Sequence, residues 1–141
     1  MGETQMKTRQ IHTCYWDDGF IQEALWQTKY VYMYLLTNQA INLVGIFQLS
    51  DKRIALDTGL EVKEIVIAKE ELTRGKKVFF CDGWIYVVNA FKNNRYWRNY
   101  KVHDAWHNEF TSISEKALEY FSSARGTDIY REQKSEVDFY S

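Results

Sequence analysis

Apolar positions recur at helical spacing in some stretches of this chain and at strand spacing in others, and the changes of period mark its elements. Most of those changes fall between Leu49 and Asn89. Ser50 or Asp51 can cap a helix there, because either side-chain oxygen accepts from N–H groups that a first turn leaves unpaired. Ile54 and Leu56 read as its buried positions. Gly59 falls where the chain must leave that helix, a place that often needs positive φ. A second helix is predicted over 61–74, since Ile65, Ala68 and Leu72 fall on one face at about 100° per residue. Gly75 ends it, with Arg74, Lys76 and Lys77 near its negative pole, where cations are favoured. The runs VFFC (78–81) and WIYVV (84–88) then read as strands joined by Asp82-Gly83. A two-residue loop of that composition predicts a type I′ hairpin, whose central residues both need φ > 0.

Upstream, residues 10–16 (QIHTCYW) predict an extended segment docked through its aromatic side chains. Asp17 and Asp18 read as helix-start residues before one or two turns carrying Phe20, Ile21, Ala24 and Leu25. Residues 28–36 predict a mostly buried helix in which Tyr30, Val31, Tyr34 and Leu35 share a stripe, closed by Thr37-Asn38. Residues 45–48 predict a short strand able to pair with the hairpin. Downstream, Ser112 and Ser114 open a last helix. Ser112 and Glu115 have the spacing of a capping box, Ala117, Leu118 and Phe121 carry the apolar face, and Gly126 ends it.

A short helix, a tight turn, a longer helix and a hairpin, in that order, make the layout of a winged helix-turn-helix. The expected fold is therefore α+β and mainly helical: a winged helix-turn-helix with a small antiparallel sheet and extra C-terminal helices. The expected divisions are a flexible N-terminus (1–9), the winged-helix domain (10–92), a C-terminal helical extension (93–125) and a mobile tail (126–141).

Composition sets bounds on function. A chain of 141 residues, 45% hydrophobic and 26% charged, is one globular domain with a real core. Its net charge of −1 lends nothing to nucleic-acid binding, so any basic surface must be local. Cys14 and Cys81 form neither a CxxC nor a ligand cluster. They read as reduced thiols, at least one of them buried, in a cytoplasmic protein. No basic N-terminus leads into an apolar run as in a signal peptide, and no stretch is long enough to span a bilayer.

Several strings carry a resemblance: Trp16, YLLTN ending at Asn38, NLVGI from Asn42, IALDTGL (54–60) and DGWIYVVN (82–89). Together they make residues 8–92 resemble the N-terminal winged-helix domain of phage replication proteins, the replisome-organiser or DnaD-like initiation proteins of Gram-positive phages and prophages. The resemblance implies a role in DNA replication, with DNA and replication proteins such as a helicase or loader as partners, and no catalysis. Family members commonly continue into a further domain, so the resemblance implies that a chain ending at Ser141 is a fragment, a shortened relative or a protein with a different job.

In this layout the 61–74 helix is the recognition helix. Its outward side carries Lys63, Ile67, Glu70 and Arg74, flanked by Val66 and Glu71. Lys63 and Arg74 suit phosphates or guanine edges, and Ile67 a thymine methyl, while Glu70 and Glu71 would face phosphate oxygens. With four acids to three bases over 61–74 the helix is not basic, and Val66 with Ile67 suits a protein contact equally. Lys52, Arg53, Lys76 and Lys77 are further backbone candidates, whereas an Asp82-Gly83 tip is too short, and of the wrong sign, for a minor groove. Residues 92–101 hold Lys92, Arg95, Arg98 and Lys101 without an acid, a local charge of +4. Tyr96, Trp97 and Tyr100 among them either stack bases or, like Trp106, pack on the core. His103 and His107 share a helical face, but without a third ligand they read as ordinary histidines. No nucleophile elbow, phosphate loop or dinucleotide fingerprint occurs, so the expectation is a non-enzymatic protein without cofactor or metal. Two readings stand beside DNA binding by sequence-tolerant phosphate contacts: a self-association or protein-interaction module of a replisome, and a small transcriptional regulator.

Overall fold

The computed structural model describes residues 8–90, 101–126 and 129, with backbone alone at 101–103. A 3-10 turn, Thr13–Asp17, leads into α1 (Gly19–Glu23) and α2 (Trp26–Thr37). Strand β1 (Ile46–Gln48), α3 (Asp51–Thr58), α4 (Val62–Arg74), β2 (Val78–Cys81) and β3 (Trp84–Val87) follow. Two more helices, α5 (Lys101–Thr111) and α6 (Glu115–Arg125), come after them. The fold is α+β, mainly helical, with one three-stranded antiparallel sheet in the order β1-β3-β2. Among the described residues no helix is long and apolar enough to cross a membrane.

The caps explain where the helices begin. Asp18 accepts from the Phe20 N–H at 2.8 Å to start α1, and Ser50 accepts from the Arg53 N–H at 3.1 Å to start α3. Gly59 leaves α3 at φ +77°. The hairpin turn has Asp82 at φ +48° and Gly83 at φ +84°, the two positive angles that a type I′ turn requires. Gly75 serves differently: a Cβ there would collide with the Phe20 ring, so only glycine lets α1 close over the end of α4.

The sheet is buried on both faces. Ile46, Tyr86 and Phe79 stand in one cross-strand row, and Phe47, Ile85 and Phe80 in the next. Successive rows point to opposite faces. Phe47 and Ile85, with Phe80 at the margin, therefore join Val31, Leu35, Ile54, Ile65, Ala68 and Leu72 in a core under α2, α3 and α4. Ile46, Tyr86 and Phe79 join Trp106, Phe110, Ala117 and Phe121 in a second core under α5 and α6. Trp106 stacks on Phe110 at 5.1 Å, and Arg125 donates to the Tyr86 hydroxyl at 2.6 Å. Asn42 closes the outer side of β1: its amide donates to the Ile46 carbonyl at 2.7 Å while its oxygen accepts from the Gly45 N–H.

Several expectations need correction. Leu56 is not buried but 76% exposed, because it lies about 200° around α3 from Ile54. Tyr30 is exposed too; Thr28, Val31, Tyr32, Leu35 and Leu36 form the buried face of α2. The segment before α1 is a 3-10 turn that docks through Tyr15, whose hydroxyl donates to the Lys29 carbonyl, while Trp16 faces outward. Ser114, not Ser112, caps α6; the Ser112 hydroxyl donates back to the Glu109 carbonyl. Cys14 is exposed and Cys81 half-buried, so neither thiol is fully enclosed. Within the expected tail Ile129 is buried in the second core, and the rest of 127–141 lies outside the described residues.

Phe121 is enclosed against the Tyr86 ring. Replacing it with alanine should therefore cost about 3–5 kcal/mol, the range for a large aromatic lost from a core, read as a lower urea midpoint. Gly75→Ala should cost about 1–3 kcal/mol through forced repacking of Phe20. An unchanged midpoint for Gly75→Ala would contradict the close approach of α1 to α4.

Candidate nucleic-acid interface

Helix α4 packs on α2, α3 and β2 through Ile65, Ala68 and Leu72 and leaves its other side to solvent. That side holds Lys63, Ile67, Glu70 and Arg74, with Val62 and Val66 beside them; Val62, Val66 and Ile67 are 47%, 42% and 51% exposed. Val62 was not among the residues singled out from the sequence. Its spacing of four from Val66 was the available signal.

Glu71 behaves differently from the expectation that it faces phosphate. Its carboxylate turns inward, accepting from the Thr28 hydroxyl at 2.6 Å and from the Leu25 N–H at 3.3 Å. It therefore satisfies the start of α2, where orphan N–H groups need partners. On the outward row of α4 the remaining carboxylate is Glu70.

The cations divide into bound and available ones. Lys77 contacts the Asp18 carboxylate at 2.5 Å, and both side chains are less than a third exposed. Its ammonium also lies over the Phe20 ring. Lys77 ties α1 to the base of the hairpin, so this phosphate candidate is engaged within the fold. Arg53 donates to Asp57 at 2.9 Å within α3, and the Tyr34 hydroxyl donates to the same carboxylate at 2.5 Å, so Asp57 links α3 with α2 and engages the half-exposed Arg53. Those two donors, Tyr34 first, hold the Asp57 carboxyl below the usual carboxylate range. Lys69 bridges Asp51 at 3.0 Å and lies over the Phe80 ring. It divides the surface between α4 and β2 into a largely apolar groove beside Val66, Thr73 and Arg74 and another beside Ser50, Lys52 and Trp84.

Lys52, Arg74 and Lys76 are exposed and make no ion pair among the described residues. Lys63 contacts Glu61 at 3.2 Å, but both side chains are largely solvated, and such a pair is worth little. The surface thus brings Lys52, Lys63, Arg74 and Lys76 to the start of α3 and the open side of α4. Lys92, Arg95 and Arg98 lie outside the described residues, as do Tyr96, Trp97 and Tyr100, and Lys101 is described only as the first backbone position of α5. Trp106 is fully buried, and His107 packs edge-on against it. At the hairpin tip Lys116 of α6 lies 2.9 Å from Asp82, but both side chains are largely solvated, so this pair too is worth little.

No family model matches the chain, and neither a curated protein nor a solved structure matches it.

Burial of Asp18 works to raise its carboxyl pKa, but hydrogen bonds from Lys77 and from the Phe20 and Ile21 N–H groups outweigh it and hold the pKa below normal. A carboxylate depressed in the folded state contributes stability that is present above its unfolded pKa of about 3.9 and is lost as pH falls through the folded value. Thermal unfolding followed between about pH 6 and pH 2 should therefore show a loss of stability beginning near pH 4 that is shallower in Asp18→Asn. Identical profiles would remove Asp18 from the acid response.

Proposed function

We propose that this chain is a winged-helix DNA-binding domain of a phage or prophage DNA replication initiation protein, holding duplex DNA largely through its phosphates. The observation that carries the reading is the uncovered outward side of α4, the second helix of a helix-turn-helix, whose flanking acid Glu71 is turned into the protein. The order α3, α4, β2, β3 with β1 completing the sheet supports a winged-helix reading, and the resemblance of residues 8–92 to replication-initiation proteins is in keeping with it. Lys52, Lys63, Arg74 and Lys76 are the phosphate contacts available on the described surface, and Lys92, Arg95, Arg98 and Lys101 would add to them from beyond it. The short, two-residue hairpin tip, with an aspartate in it, leaves the wing little part. The role is binding without a catalytic step, with a helicase or loader as the protein partner.

The test is fluorescence anisotropy with random-sequence double- and single-stranded DNA at two salt concentrations. Each phosphate contact contributes about 0.9 to the slope of log affinity against log salt on duplex DNA. Arg74→Ala with Lys76→Ala should thus weaken binding and flatten the slope by about two; an unchanged slope would remove both residues from the interface. Absence of binding at low salt would favour a second reading, a replisome protein-interaction or self-association surface, which the exposure of Leu56, Val66 and Ile67 supports. On that reading Ile67→Asp should lower the mass seen by light scattering.

A further inference from the structure

We propose that α4 discriminates thymine in duplex DNA, with Val62, Val66 and Ile67 meeting thymine C5-methyl groups in the major groove. The inference rests on the duplex-binding reading above and narrows it from phosphate contact to base preference. Val62 and Val66, at i and i+4, are neighbours along one edge of the exposed side of the helix, and Ile67 lies about 100° round from Val66, so the three span that side. All are β-branched, a type that lowers helix propensity. At half-exposed positions packing compensates for that only in part, and the rest of the exposed surface of α4 is largely charged, with Lys63, Glu70 and Arg74. Their stiffness at χ1 also means that little rotamer freedom is lost when they are pressed against a surface.

In the major groove the edges of adenine, guanine and cytosine present hydrogen-bonding groups, whereas thymine adds a methyl group. An apolar patch there has thymine as its natural partner. The charges around the patch fit the same ligand. Lys63 and Arg74 share the outward row, Lys52 and Lys76 are exposed at the start of α3 and just after α4, and Glu71 is withdrawn into its bond with Thr28. Glu70 remains on the row. A carboxylate in the groove can accept from the cytosine amino group but repels phosphate, so Glu70 raises the cost of a register displaced onto the backbone.

The experiment compares an alternating A·T duplex with the same duplex carrying uracil for thymine, which removes only the methyl groups. The full chain is titrated against both by anisotropy at low salt, with circular dichroism confirming that each variant is folded. Wild type should bind the thymine duplex about fourfold more tightly for each methyl it covers, the factor expected from burying one such group. Ile67→Ala should bring that ratio toward one, while Leu56→Ala, which removes an exposed aliphatic side chain from α3, should leave it unchanged. Equal wild-type affinity for both duplexes would overturn the thymine preference and leave phosphate binding standing. Failure to bind either duplex would overturn the duplex reading itself. A thymine preference that persists when Val62, Val66 and Ile67 are all replaced by alanine would overturn the role of these residues in reading bases.

Discussion

The packing of the three-stranded sheet on both of its faces holds the rest of the molecule in place. One cross-strand row, Ile46, Tyr86 and Phe79, is covered by α5 and α6; the next, Phe47, Ile85 and Phe80, is covered by α2, α3 and α4. Burial of these large side chains supplies the non-directional part of the stability, and the period of two along each strand decides which core each one enters. The arrangement also bears on function. The outer face of the hairpin lies under α6, where Phe79 and Tyr86 pack with Ala117 and Phe121. The side of the helix-turn-helix left uncovered is that of α4.

On that surface, polar contacts with the rest of the fold decide which charges remain for a ligand. Lys77 is consumed by Asp18, Arg53 by Asp57 with Tyr34, Lys69 by Asp51, and Glu71 by Thr28 and the start of α2. These contacts stitch α1, α2 and α3 to α4 and the hairpin, and they sort a nearly neutral protein into internal pairs and a residue of available cations. The formal charge of the helix, slightly acidic, is therefore a poor guide to the field at its open side, since solvated charges act outward while bonded ones are largely answered locally.

Much of the framework was legible because it is local. Caps at Asp18 and Ser50, the exit at Gly59, the Asp82-Gly83 turn and the Ile65, Ala68, Leu72 stripe all depend on residues a few positions apart. Leu56 was misread although the signal was present: its spacing of two from Ile54 puts the pair on opposite sides of a helix. The covered outer face of the sheet also had a trace in the chain, since VFFC and WIYVV are nearly continuous apolar runs, the pattern of strands buried on both sides.

The amino-acid sequence by itself determined the elements, their order, the hairpin and the inner face of α4, because helical and strand periodicity and turn chemistry act over a few residues. Only the tertiary structure decided which charges are free. Asp18 and Lys77 are separated by 59 positions, and Thr28 and Glu71 by 43. No local pattern pairs residues so distant; burial brings them together, and a polar group leaving water must then find a partner.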